Sequence, residues 1–167
     1  MQSLKGLKVA ILVTDGFEHD ELVKPRQALD EAGAETKVVS PKDNKVRGWK
    51  YTDWGESTSV DQPLNEAKAN QFDALLLPGG VINPDKLRME PKAVEFVKSF
   101  FTAGKPVASI CHGPWTIISG CGQWPEDCGL AISENGFEEC RRRVDRQRSR
   151  RGRQARLCAK ARRYPGI

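Results

Sequence analysis

Absences bound this 167-residue chain before any motif does. No apolar run approaches the roughly 20 residues that a bilayer-spanning helix needs. The opening Met1-Gln2-Ser3-Leu4-Lys5-Gly6 lacks the apolar core of a secretory signal. A cytoplasmic protein without structural disulfides is therefore expected. Histidine occurs only twice in the chain, and cysteine only once in the first 120 residues. Such scarcity leaves no metal-ligand spacing there, so no metal and no other cofactor is expected. Cys121, Cys128, Cys140 and Cys158 lack paired C-x-x-C spacing, which makes a zinc module a weak reading of the remainder.

Charge is spread unevenly. Residues 1–120 hold 15 Lys+Arg against 16 Asp+Glu, whereas residues 121–167 hold 12 against 6. The overall +5 is thus a property of the last stretch alone. Length suits a single domain with one substantial core. The chain divides into an α/β domain at 1–120 and an Arg-rich tail at 121–167.

Apolar, β-branched Leu7-Lys8-Val9-Ala10-Ile11-Leu12-Val13 reads as a central parallel strand. Apolar residues Leu22, Val23, Ala28, Leu29 and Ala32 follow at helical spacing, ended by Gly33. Glu35–Ser40 is a second strand, which completes a right-handed βαβ unit. Polar residues from Pro41 to Asp61, with Trp49, Tyr51 and Trp54, suggest a surface hairpin, and Leu64–Ala69 a short helix. Phe72–Leu77 is another buried strand, running into Pro78-Gly79-Gly80. From Pro91, the residues Ala93, Val94, Phe96, Val97, Phe100 and Phe101 mark an amphipathic helix that stops at Gly104. Alternating strands and helices predict an open, mostly parallel sheet with its site at the strands' carboxyl ends.

Three loops converge there: Asp15–Asp20, Pro78–Asp85 and Cys111–Trp115. Pro106–Ile110 reads as a short buried strand, and Pro114 suits the first turn of a helix. Cys111 therefore sits on a strand-to-helix turn, where unpaired amides and the helix dipole would stabilise a thiolate. A small buried hydrophobe is the bland alternative for a free cysteine. Glu18 lies closest to the end of the first strand and is the carboxylate expected to meet the thiol. Asp20 and Glu21 are assigned only the dipole role of acids in a first helical turn. Gly79 and Gly80 make a tight turn, and they also allow backbone N–H groups to approach a developing oxyanion. His19 has no evident partner and reads as a surface or rim residue.

These loops, in this order, resemble the ThiJ/PfpI family, and its PfpI-type branch in particular. The matching residues are Phe17-Glu18-His19-Asp20-Glu21-Leu22, Gly48-Trp49 with Thr52-Asp53-Trp54-Gly55, Asp73–Gly80, and Ala108-Ser109-Ile110-Cys111-His112-Gly113-Pro114. The resemblance implies a flavodoxin-like three-layer α/β sandwich of the class I glutamine amidotransferase-like kind. It implies Cys111 as nucleophile, Glu18 beside it, His112 as acid/base, and an oxyanion site from the Gly79, Gly80 and His112 amides. Asp85 is implied as a partner of His112 across a subunit interface in a dimer or hexamer. The implied activity is that of a glyoxalase or deglycase acting on methylglyoxal or glycated adducts in stress protection. The alternatives are an intracellular cysteine peptidase and a redox-sensing stress protein in which Cys111 is oxidised without turnover.

The resemblance stops near Ser119, and the domain as written is then incomplete. Besides a zinc module, residues 121–167 admit two readings. One is a basic arm for nucleic acid. The other is the domain's own ending written out of frame. Read in the +1 frame, the codons permit strand-like valine runs, an Asp-Gly turn and a closing Pro-Asp-Asp segment. The frameshift is the favoured reading, with no role in binding nucleic acid or membranes.

Overall fold

Alternation along the strands sorts the interior into two cores, one on each face of a single sheet. In the computed structural model, which describes residues 3–121, β1 (Lys8–Leu12) lies at the centre. Val9 and Ile11, with Val13 just beyond, face one core, whereas Ala10 and Leu12 face the other. Period-2 side-chain geometry produces this division, which is why a strand buried on both faces reads as a continuous apolar run.

The strand order is β5-β2-β1-β6-β7, all parallel, from Gln62–Pro63, Glu35–Ser40, Lys8–Leu12, Ala74–Leu77 and Val107–Ser109. On one face α1 (His19–Glu31) contributes Leu22 and Leu29 to the core of Val9, Ile11, Phe17 and Val38. On the other, α3 (Pro91–Thr102) contributes Ala93, Phe96, Val97 and Phe100, and α4 (Pro114–Cys121) contributes Ile117. Phe72, Phe96 and Phe100 stack edge to face along that side. Helices thus cover both faces, and the architecture is the flavodoxin-like sandwich.

Several local readings are revised. The inner face of α1 is Leu22, Pro25 and Leu29, whereas Val23 and Ala28 are exposed. Leu64–Ala69 does not form a helix; one 3-10 turn follows at Ala69–Gln71. The hairpin at Pro41–Asp61 is present as β3 (Lys45–Lys50) paired antiparallel with β4 (Asp53–Ser59). Part of the segment read as the Pro78–Asp85 loop is helical, as α2 (Ile82–Leu87). The readings of the Arg-rich tail concern residues that, apart from Cys121 at the end of α4, lie outside the described ones.

Candidate active site

The carboxyl ends of β1, β6 and β7 bring three loops together. After Ser109 the chain must leave the sheet and start α4 at Pro114, with four residues to do it. Cys111 takes up the reversal with φ +54, one of two non-glycine residues with positive φ among the described ones. A left-handed conformation strains any residue with a Cβ, and here it lifts the thiol clear of the core. The Cys111 Sγ lies 3.0 Å from His112 Nδ1, and the His112 ring rests edge to face against Trp115, 4.8 Å between centroids.

The carboxylate that meets the thiol belongs to Glu21, not Glu18. Glu18 is extended and occupies the N-cap of α1, and its backbone pairs with Trp49 of the hairpin. Glu21 lies one turn later, and side chains on a helix lean towards its N-terminus. Its carboxylate therefore reaches back over the strand ends, where Oε2 accepts the Gly79 N–H at 2.8 Å and the carboxylate accepts the Cys111 thiol. The dipole role given to Glu21 is thus too small. Asp20 keeps a plain surface role, paired with Lys24 at 2.7 Å.

Burial pushes the Glu21 carboxyl above its ordinary value, reinforced by the charge of Glu18 and opposed by the Gly79 N–H, the Cys111 thiol and the Gly80 N–H. Cys111 is also pushed up, first by burial and then by the charge of Glu21, while the His112 and Gly80 amides pull the other way. The expectation of a thiolate stabilised by the helix start is corrected here, because burial and a neighbouring carboxylate outweigh the amides. Two raised groups in contact favour a single shared negative charge.

Gly79 and Gly80 have different tasks. Gly79 N–H is committed to Glu21, so of the amides expected at an oxyanion, those of Gly80 and His112 are the ones facing the sulfur. A Cβ on Gly79 would lie 2.6 Å from Ile110 O and 2.7 Å from both Cys111 Cβ and Glu21 Oε2. Gly80 has φ +72, and a Cβ there would lie 2.6 Å from Gly16 O. The Gly-Gly pair is required by close approach as well as by the turn.

Asp85 lies on α2 with its carboxylate gripped by Arg88, 2.8 Å from Nε. His19 opens α1 with Nδ1 buried and unpartnered among the described residues. No group of three His, Cys, Asp or Glu among them is placed to hold a metal. None of the described helices is long and apolar enough to cross a membrane.

Known proteins share this stretch. Residues 7–121 match the model described as the DJ-1/PfpI family. A deglycase of Pyrococcus abyssi (strain GE5 / Orsay) is 45% identical over 113 residues, which cover 68% of this chain and 65% of that protein. Protein/nucleic acid deglycase 2 of Escherichia coli (strain K12) is 42% identical over 114 residues, 67% of this chain and 63% of that one. The chain thus spans less than two thirds of either relative. A crystal structure of a two-domain Anabaena variabilis protein, with DJ-1/ThiJ/PfpI-like and ferritin-like domains, superposes with a TM-score of 0.60. It is 40% identical over 68% of this chain and 33% of that one.

Proposed function

The chain belongs to the DJ-1/PfpI family, and on that premise we propose that it is a cysteine-dependent deglycase acting on methylglyoxal or its adducts with amines and thiols. The observation that carries the proposal is the single contact set around one sulfur: His112 Nδ1 at 3.0 Å, the Glu21 carboxylate, and the Gly80 and His112 amides. A nucleophile, a proton acceptor and oxyanion donors within one reach are what carbonyl addition requires.

The Cys111 sulfur, its proton taken by Glu21 or His112, adds to the aldehyde carbon of methylglyoxal. The new oxyanion forms where the Gly80 and His112 N–H groups point, and protonation gives a thiohemiacetal. His112 and Glu21 then take the proton from that carbon and return it to the neighbouring carbon through an enediol, while the hydroxyl proton passes to the former ketone oxygen, leaving a lactoyl thioester on Cys111. Water cleaves the thioester, releasing lactate and restoring the thiol. An adduct enters the same path by exchanging its C–N or C–S bond for the C–S bond to Cys111, and the freed amine or thiol takes up a proton. The net change is one water consumed per lactate formed, with no outside oxidant.

In the same reading the protein works in the cytoplasm as a homo-oligomer, and Asp85 turns to a neighbour's His112 only by leaving Arg88. The direct experiment incubates methylglyoxal-treated N-acetyl-lysine or glutathione with the full chain and with Cys111→Ala. Lactate release and recovery of the free amine or thiol, both lost in the variant, support the proposal. Equal release by the variant, or cleavage of unmodified peptides in place of adduct turnover, overturns it.

A further inference from the structure

Asn83 is buried completely in the first turn of α2, just past the Gly79-Gly80 turn, and its side chain makes no hydrogen bond to the sulfur. Its side chain makes three hydrogen bonds, all to backbone. Oδ1 accepts the Thr14 N–H at 2.8 Å, and Nδ2 donates to Pro78 O at 2.9 Å and to Gly79 O at 3.2 Å. The amide orientation is fixed by these partners, because a backbone N–H only donates and a carbonyl only accepts. Asn83 therefore joins the end of β1 to the Gly-Gly turn after β6.

The two carbonyls it holds belong to consecutive peptide units. None of the described peptide bonds is cis, so within each planar unit the N–H points opposite to the C=O. Holding Pro78 O on the Asn83 side turns the Gly79 N–H towards Glu21, which it reaches at 2.8 Å. Holding Gly79 O turns the Gly80 N–H towards Glu21 and the Cys111 sulfur. A Gly-Gly pair has the widest conformational freedom of any dipeptide and would not keep two amides aimed unaided. The carboxamide supplies the missing constraint.

We propose that Asn83 is a positioning residue that fixes, through the carbonyls of Pro78 and Gly79, the two amides facing Glu21 and Cys111. It touches no substrate. This inference rests on the reading of Cys111 as nucleophile, but its first test does not need turnover. Asn83→Leu keeps the branched shape and the number of heavy atoms and removes all three hydrogen bonds. Asn83→Ser, with room for a bridging water, serves if the first variant fails to fold. Phe96→Leu, in the core on the far face of the sheet, is the control for lost stability alone.

The readout is alkylation of Cys111 by iodoacetamide against pH, localised by mass spectrometry. With the Gly80 amide free to turn away, the Asn83 variants should alkylate about tenfold more slowly at pH 7, with the pH midpoint moved up. Phe96→Leu should match the parent. In the lactate assay kcat should fall by about 10²-fold with KM within about twofold. A parental alkylation profile in a folded Asn83 variant overturns the proposal and leaves Asn83 a structural residue. Turnover that survives Cys111→Ala sinks the nucleophile reading instead, so the two failures are distinguishable.

Discussion

The left-handed turn at Cys111 makes a prediction that separates backbone strain from chemistry. Cys111→Ala and Cys111→Gly both remove the sulfur, its contact with His112 and its repulsion with Glu21. They differ in what remains at φ +54. Alanine keeps a Cβ in a region that disfavours it by about 1–2 kcal/mol. Glycine releases that strain but gives the unfolded chain more freedom, an offset of about 0.5–1 kcal/mol. Position 111 is exposed, so neither variant leaves a cavity. The difference left over favours glycine by about 1 kcal/mol, which raises Tm by about 2–4 °C in a domain of this size. Thermal unfolding followed by circular dichroism, on both variants in one buffer, measures it. At Val107, inside β7, the same comparison should reverse, since glycine there gains no relief from strain. A Cys111→Gly variant no more stable than Cys111→Ala would falsify the strained turn.

Glu21→Gln keeps the acceptor for the Gly79 N–H but removes the charge. The folded-state carboxyl lies above its ordinary 4.5, so its stabilising contribution is complete below that pH and is lost as pH rises through the folded-state value. Unfolding scans should therefore show the variant more stable than the parent at pH 7, with the gap closing towards pH 4. Its Cys111 should alkylate at lower pH, because the carboxylate that pushes the thiol up is gone, while kcat falls by about 10²-fold or more with the lost proton transfer. Gly79→Ala forces a Cβ against Ile110 O and Cys111 Cβ, at 2.6 and 2.7 Å. It should lose about 1–3 kcal/mol in denaturant titration and nearly all turnover; parental stability would show that the turn yields freely.

The sheet was legible because its signal is redundant. β1 and β6 are continuous apolar runs, and Ala93, Phe96, Val97 and Phe100 repeat at the helical period on α3. The Cys111 turn was legible from Gly113 and Pro114, which close off the extended run. The choice between Glu18 and Glu21 was not, because proximity in sequence to a strand end ignores the backward lean of helical side chains. That lean was the available signal, and it favours the acid one turn into α1. Asn83 was missed for a different reason. An asparagine in a polar stretch looks like turn chemistry, and only the fold reveals that three backbone groups from two loops end on one carboxamide. The helix at Leu64–Ala69 failed because Pro63 and short apolar spacing gave no periodicity long enough to outweigh a turn.

The loop after β1 is fastened along both sides. The hairpin holds it through Gly16 N–H to Arg47 O at 2.8 Å and Trp49 N–H to Phe17 O at 2.7 Å, and Asn83 holds Thr14. Beside it, Glu21 ties α1 to the Gly-Gly turn. A lid requires slack, and this segment has none. Among the described residues the Cys111 sulfur is therefore exposed beside a segment pinned on both sides, and a reactant must come to it already presented. Under the proposed function, a free small aldehyde would do so by diffusion, and a glycated lysine at the end of its own long side chain.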